Sequence, residues 1–175
     1  MIISAEKLKE LAPTTKTDDY IEFHLDAIES IIRAYTNNPF QVRSARFIGQ
    51  TSDFSNAVHG SPVCMQPGDT VQISGGTVND GVYVIKEVQP DGLTLNRYLN
   101  AADGMTVTKV QYPPDVVQCA VSLFTWKETM GAKVGIKSET LSRHSVTYED
   151  SGTGLFMGYP LAILSGLKLY RKARC

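Results

Sequence analysis

The spacing of apolar residues along the chain changes twice, and each change marks a different kind of secondary structure. Between residues 18 and 38, apolar side chains recur at alternating intervals of four and three, which is one face of an α-helix: Ile21, Leu25, Ile28, Ile32 and Tyr35. Ahead of this stretch, Ser4 is a helix-capping residue type and predicts a short helix over residues 5–11. The sequence NNP at 37–39 predicts the end of the longer helix.

From about residue 42 to 112 the helical spacing gives way to short alternating runs. These runs are ARFIGQ (45–50), DTVQISG (69–75), GVYVIKEV (81–88), GLTLN (92–96) and TVTKVQY (106–112). Turn sequences separate them, and Asp91 followed by Gly92 is a strong tight-turn pair. Several short strands at this spacing predict a small β-barrel or rolled sheet.

Helical character returns at Pro113, Pro114 and Asp115, a sequence typical of a helix start. Two adjacent apolar stripes follow and predict a largely buried helix ending at a Gly131 cap: Val117, Ala120, Val121 and Phe124; Val116, Cys119, Leu123, Trp126 and Met130. A last short helix is predicted from Pro160 to about Gly166. The predicted fold is α+β, with a small antiparallel helical unit of two long helices plus a short C-terminal one. Residues 1–41 and 113–175 form that unit, and residues 42–112 form an inserted small β-barrel-like module.

The composition narrows the function classes without selecting one. The 175 residues carry a net charge of −1, which argues against a dedicated nucleic-acid binder. Cys64, Cys119 and Cys175 lack paired spacing, so they predict free thiols and a reducing compartment such as a cytoplasm, with Cys119 a buried small hydrophobe. The first residues, MIISAEKLKELAP, carry charges where a secretion signal has an apolar core. No apolar run reaches membrane-spanning length, so no membrane association is expected.

Candidate chemistry is sparse along the whole chain. His24 lies beside the apolar stripe and is interpreted as structural, while His59 lies in a turn-like segment and His144 in a polar one. Cys64 has no local catalytic partner, and no nucleophile, phosphate-loop or metal-ligand motif is present. The acidic residues Asp18, Asp19, Asp26 and Glu29 are interpreted as a solvated helix face. We therefore expect no enzyme activity, no metal and no cofactor.

The segment GIKSETLSRHSVTYED (135–150) is polar and yet has the alternation of a strand. Two interpretations are open. In the first, which we favour, the segment pairs with another subunit, because a long exposed strand is otherwise prone to aggregate. In the second, it is an internal hairpin with Ser142, Arg143 and His144 at the turn.

The chain ends in a cluster of cations interleaved with apolar residues, LKLYRKAR (167–174). Two interpretations are open here as well. The cluster could grip an acidic protein surface or DNA phosphates, with an aromatic–Arg pair as its anchor. Alternatively, the cations offset a helix dipole and remain solvated.

Three passages together resemble the head–tail connector (adaptor) proteins of long-tailed bacteriophages. The first is the helix DDYIEFHLDAIESIIRAYTNN. The second is PPDVVQCAVSLFTWKE followed by GIKSETLSRHSVTYED, similar to the family's helix, Lys-Ser-Glu and polar strand. The third is the ending YPLAILSGLKLYRKAR. The passages cover about 100 of the 175 residues, and their order and spacing carry the resemblance. The inserted β module departs from the family's simpler pattern.

The resemblance implies a structural virion protein without catalysis. It would form a ring of about a dozen copies beneath the portal protein, bind the next head-completion or tail protein, and let DNA pass without sequence-specific binding. It would reside at the head–tail junction of the virion, and in the bacterial cytoplasm during assembly. The implied interface consists of an arm and a docking tail: Lys137, Ser138, Glu139, Thr140, Leu141, Ser142, Arg143, His144, Ser145, Val146 and Tyr148; Leu169, Tyr170, Arg171 and Arg174.

A second hypothesis comes from the β module. The stretch PGDTVQISGGTVNDGVYVIKEV has the turn, strand, long loop and strand order of an SH3-like or OB-like barrel. On this hypothesis, the chain is a soluble protein- or ligand-binding module, and the helices are its scaffold.

Overall fold

A computed structural model of the protein describes residues 1–130, 138–141, 144–147 and 154–173. The chain divides into two compact units. One contains Met1 with Pro39–Tyr112, and the other contains Ile2–Asn38 with Pro113–Cys175. The sequence placed the first boundary after residue 41 and the second after residue 112. The fold is α+β and contains a closed barrel of six antiparallel strands.

The unit of residues 39–112 is the barrel. Its strands are β1 (Gln41–Thr51), β2 (Ser55–His59), β3 (Thr70–Ser74), β4 (Gly81–Gln89), β5 (Gly92–Leu99) and β6 (Ala102–Val110). They follow one another around the barrel in the order β1-β2-β5-β4-β3-β6, and β6 pairs with β1 to close it. Closure leaves the sheet without a free edge strand.

The barrel interior is filled by the apolar members of the alternating runs. Five side chains illustrate the pattern, because each is almost completely buried: Val71, Ile73, Ile85, Leu95 and Val107. Gly92 marks a close approach of two strands, since a Cβ atom there would lie 2.4 Å from the backbone oxygen of Val58. The period of two in the sequence therefore identified the core face correctly.

The pattern of apolar residues did not predict the strand β2. Only Val58 of its five residues is fully buried, so its hydrophobic alternation is weak. As a result, His59 was interpreted as part of a turn. It is the last residue of β2, where it is exposed and pairs with Gln50 and Gly92.

The second unit is built mainly from helices. They are α1 (Ala5–Leu11), α2 (Asp18–Thr36), α3 (Pro114–Met130) and α4 (Leu161–Leu164), followed by a 3₁₀ helix (Ser165–Tyr170). The side chain of Ser4 caps α1 by accepting a hydrogen bond from the backbone N–H of Lys7 at 3.2 Å. Thr17 caps α2 in the same way, and Asn37 ends it in a left-handed conformation with φ of 48°.

The predicted apolar stripe of α2 is confirmed, since Ile21, Leu25 and Ile28 are fully buried. The interpretation of its acidic residues as a solvated face is wrong for Glu29, which is only 4% exposed. Its carboxylate lies 3.7 Å from the guanidinium of Arg33, one helical turn later. A charge partner at this spacing offsets part of the cost of burying a carboxylate. The spacing of apolar residues alone does not reveal such a partner.

The other helix boundaries agree with the sequence in part. The start of α3 is confirmed within one residue, and the predicted Gly131 cap lies outside the described residues. The last predicted helix is wrong in length. Only Leu161–Leu164 is α-helical, and the chain then tightens into the 3₁₀ helix.

Two short hairpins complete the described part of this unit. The strands β7 (Ser138–Leu141) and β8 (His144–Thr147) pair with each other, as do β9 (Leu155–Phe156) and β10 (Tyr159–Pro160). Among the described helices, none is long and apolar enough to cross a membrane.

Candidate interaction surfaces

Three loops meet at one end of the barrel. The β1–β2, β3–β4 and β5–β6 connections all lie there, because β1, β3 and β5 run toward this end and β2, β4 and β6 run away from it. We call this surface the loop end and define it as residues 51–55, 75–80 and 98–103. The chain enters and leaves the barrel at the other end, where Gln41 pairs with Val110.

Asn79 ties two of the three loops of this end together, those of residues 75–80 and 98–103. It is 1% exposed, and its side-chain amide donates to the backbone oxygen of Asn100 at 2.8 Å. Its Oδ1 accepts from the backbone N–H of Asn100 at 2.9 Å, so one side chain reproduces a strand-like pair of bonds. The Tyr83 hydroxyl donates to the backbone oxygen of Asn79 at 2.9 Å, and burial raises the pKa of Tyr83.

The loop end exposes three large apolar side chains. Phe54 is 79% exposed, Val78 is 72% exposed and Tyr98 is 73% exposed. Phe54 also has a φ of 50°, a left-handed conformation that a bulky residue rarely adopts. An exposed aromatic residue held at a backbone cost, on loops fixed by internal hydrogen bonds, indicates a contact surface.

The charges of the loop end all have one sign. Asp53, Asp80 and Asp103 are exposed, and the three stretches contain no Lys or Arg. Arg97 precedes Tyr98 on β5, and the net charge of the loop end together with Arg97 is still negative. Each aspartate accepts a backbone N–H bond within the loops: Asp53 from Ala101, Asp80 from Gly76 and Asp103 from Gly104.

A shallow groove of about 520 Å³ opens beside these loops. It is lined by residues 50–52, His59 and residues 101–103. The loop end was not predicted from the sequence, because its residues come from three stretches that are far apart along the chain. The one available signal was Phe54, a large apolar residue inside a polar turn.

The C-terminal tail is anchored by its backbone. The N–H of Lys172 donates to the oxygen of Thr36 at 2.8 Å, and the side-chain amide of Asn37 donates to the oxygen of Ala173 at 2.9 Å. Asn38 likewise donates to the oxygen of Tyr170 at 3.1 Å. The end of α2 therefore holds residues 170–173 in a defined conformation.

The side chains of the predicted docking tail have unequal roles. Leu169 is 91% exposed, and Lys168, Arg171 and Lys172 are exposed as well. The hydroxyl of Tyr170, by contrast, donates to both oxygens of Asp115 at 2.7 and 2.9 Å, which raises the pKa of Tyr170.

Arg171 has an internal contact of its own, because its guanidinium lies 5.3 Å from the ring centroid of Tyr35. Tyr170 and Arg171 thus both serve the unit's own packing. Leu169, Lys168 and Lys172 remain as exposed side chains of the tail.

The predicted arm is a hairpin within the described residues. Thr140 pairs with Ser145, and Leu141 pairs with His144, which is the second of the two interpretations given above. Ser138, Glu139 and Val146 also lie on these two strands. Five members of the predicted interface lie outside the described residues: Lys137, Ser142, Arg143, Tyr148 and Arg174.

One side of α3 carries small uncharged side chains. The hydroxyls of Ser122, Thr125 and Thr129 each donate to a backbone oxygen four residues earlier on the helix, at 2.9–3.0 Å. Two shallow grooves, of about 320 and 530 Å³, flank this side and share Gln118 and Ser122. A surface whose polar groups are already satisfied costs little to desolvate in a protein contact.

The remaining candidate residues do not assemble a reactive centre. His24 is half-buried against the rings of Tyr20 and Phe23, and burial lowers its pKa. Cys119 is buried as expected, and burial raises the pKa of its thiol to about 11. Cys64 is exposed. Within the described ranges, no cluster of three or more His, Cys, Asp or Glu side chains could hold a metal ion.

Comparison with known proteins adds no family to these observations. No protein-family model matches the sequence, and no curated protein is significantly similar to it.

Proposed function

We propose that the protein is a structural head–tail connector of a long-tailed bacteriophage. It assembles as a ring beneath the portal protein, continues the DNA channel, and binds the next head-completion or tail protein. The antiparallel helical unit forms the ring wall, and the barrel is an additional contact module. The function requires no catalysis and no cofactor.

The observation that carries this proposal is the hairpin of β7 and β8. Among the described strands, each of the two pairs only with the other. A two-stranded hairpin is marginally stable in water by itself, so it gains most when a further surface covers it. A neighbouring copy or the portal supplies such a surface in a ring.

The charge distribution supports the same function. A net charge of −1 allows a duplex to pass through a channel, whereas a strongly basic lumen would retain it. The uncharged side of α3 and the exposed Leu169 suit protein contacts repeated around a ring.

Deleting residues 138–147 should leave a folded, helical protein that is no longer incorporated into virions. The deletion removes the hairpin, and no described strand outside it loses a pairing partner. Incorporation is measured by quantifying the protein in purified particles, and folding by circular dichroism. Lys86→Ala, an exposed substitution on β4, is the control and should be incorporated normally. Normal incorporation of the deletion variant would exclude the hairpin as an assembly element.

The loop end of the barrel favours a second candidate function, that of a binding module. Its exposed Phe54, Val78 and Tyr98 on a rigid frame are typical of a protein-binding surface. The two candidates differ in one respect: a binding module acts as a monomer, whereas a connector acts only as an oligomer.

A further inference from the structure

We propose that the loop end of one copy binds the C-terminal tail, residues 168–172, of a second copy. This contact extends the proposed connector function. It depends on that function only in requiring that copies of this chain come into contact. It assigns a role to the inserted barrel and names the surface it recognises.

The loop end has the layout of a small recognition surface. Its apolar side chains, Phe54, Val78 and Tyr98, are accompanied by Asp53 and Asp103. Protein interfaces characteristically combine apolar anchors with a polar rim. Because Asn79 joins residues 75–80 to residues 98–103, and Asp53 accepts from the backbone N–H of Ala101, these loops have less conformational entropy to lose on binding.

The tail is complementary in charge. It presents Lys168 and Lys172, while the loop end presents three aspartates, and Arg97 beside it on β5 leaves the net charge of that surface negative. Opposite potentials of this kind accelerate association and suppress unsuitable partners. Salt above physiological strength should therefore weaken the contact.

The tail also offers an exposed apolar side chain and is held in a defined conformation before binding. Leu169 is 91% exposed, the highest exposure among the large apolar residues described. It lies between the cations, on a segment whose backbone is fixed by Asn37 and Asn38. A shallow groove lined by residues 50–52, His59 and residues 101–103 lies beside the loops that would receive it.

A loop-end-to-tail contact joins two different surfaces, so each copy offers one surface to the copy before it and one to the copy after it. Such heterologous contacts generate closed rings when the rotation closes. The contact thus provides the kind of repeating link that the proposed ring needs.

Two full-chain variants test the contact by sedimentation velocity. The loop variant carries Asp53→Asn, Asp80→Asn and Asp103→Asn, which keep an oxygen acceptor for each loop hydrogen bond and remove only charge. The tail variant carries Lys168→Gln, Leu169→Ser and Lys172→Gln, which leave Tyr170 and Arg171 in their internal contacts. Each variant alone should self-associate at least about tenfold more weakly than the parent chain.

A mixture of the two variants should form a heterodimer, because the loop variant retains an intact tail and the tail variant retains an intact loop end. Glu87→Gln, an exposed charge removal on β4 outside the loop end, is the matched control and should associate like the parent chain. A parent chain that stays monomeric up to millimolar concentration would overturn the proposal. So would self-association that only the loop variant weakens, which would indicate a different partner for the loop end.

The results distinguish failure of the loop-end contact from failure of the connector function. If both variants still assemble on the portal protein and self-associate normally, the loop-end contact is wrong and the connector stands. If the parent chain self-associates through these surfaces but forms no ring and ignores the portal, the contact stands and the connector is wrong.

Discussion

Replacing Phe124 by alanine is expected to lower the free energy of unfolding of the helical unit by about 3–5 kcal/mol. Phe124 lies on α3 and is 2% exposed, among the largest fully or nearly fully buried side chains of the protein. Its truncation removes buried apolar surface and leaves a cavity that the surrounding helices can fill only in part. Urea unfolding followed by far-ultraviolet circular dichroism measures the change.

Phe23→Ala is the matched control for this substitution. It makes the same chemical change on α2, where the ring is 72% exposed, and should alter the free energy of unfolding by no more than about 0.5 kcal/mol. Similar losses for both variants would contradict the assignment of the helix faces. Phe23→Ala should also be tested for oligomerisation, since its exposure leaves it open to a partner.

Replacing Asn79 by alanine should destabilise the barrel by about 2–4 kcal/mol. The substitution removes two hydrogen bonds to the backbone of Asn100 and one, at 3.6 Å, to the Sδ atom of Met105, and it leaves the backbone N–H and oxygen of Asn100 without this partner. Equilibrium unfolding gives the magnitude. Amide hydrogen exchange should show faster exchange at Asn100 and in the neighbouring loops.

Asn100→Ala is the control that distinguishes the side chain of Asn79 from the side chain of Asn100. The bonds use the backbone of Asn100 and not its side chain, so this variant should retain them and remain within about 0.5 kcal/mol of the parent chain. If Asn100→Ala is as destabilising as Asn79→Ala, the side chain of Asn79 is not what holds the loop end together.

Much of the architecture could be predicted from periodicity because one physical cause dominates it. The stripe of α2 and the alternation in β3 and β4 both reflect burial of one face, and each is visible within a single short window. β2 could not be recognised, because only Val58 of that strand is fully buried. Glu29 was misassigned for a related reason, since its partner Arg33 decides its burial and apolar spacing does not.

The candidate interaction surfaces were harder to predict than the core. The hairpin and the basic tail are continuous in sequence, so their positions were predictable. The loop end is assembled by barrel closure from three stretches up to about fifty residues apart, and no local pattern contains it. The conformation of the tail depends on hydrogen bonds from the side chains of Asn37 and Asn38, which are more than 130 residues away in sequence.

The proposed connector function requires the protein to form a ring. Its molar mass in solution is therefore the first quantity to measure, by light scattering across a range of concentrations, first without and then with purified portal protein. A connector should give a ring-sized species, either for the protein alone or only when the portal is present. A protein that remains a monomer and ignores the portal would contradict the connector function and leave the barrel's loop end as the place to look for a ligand.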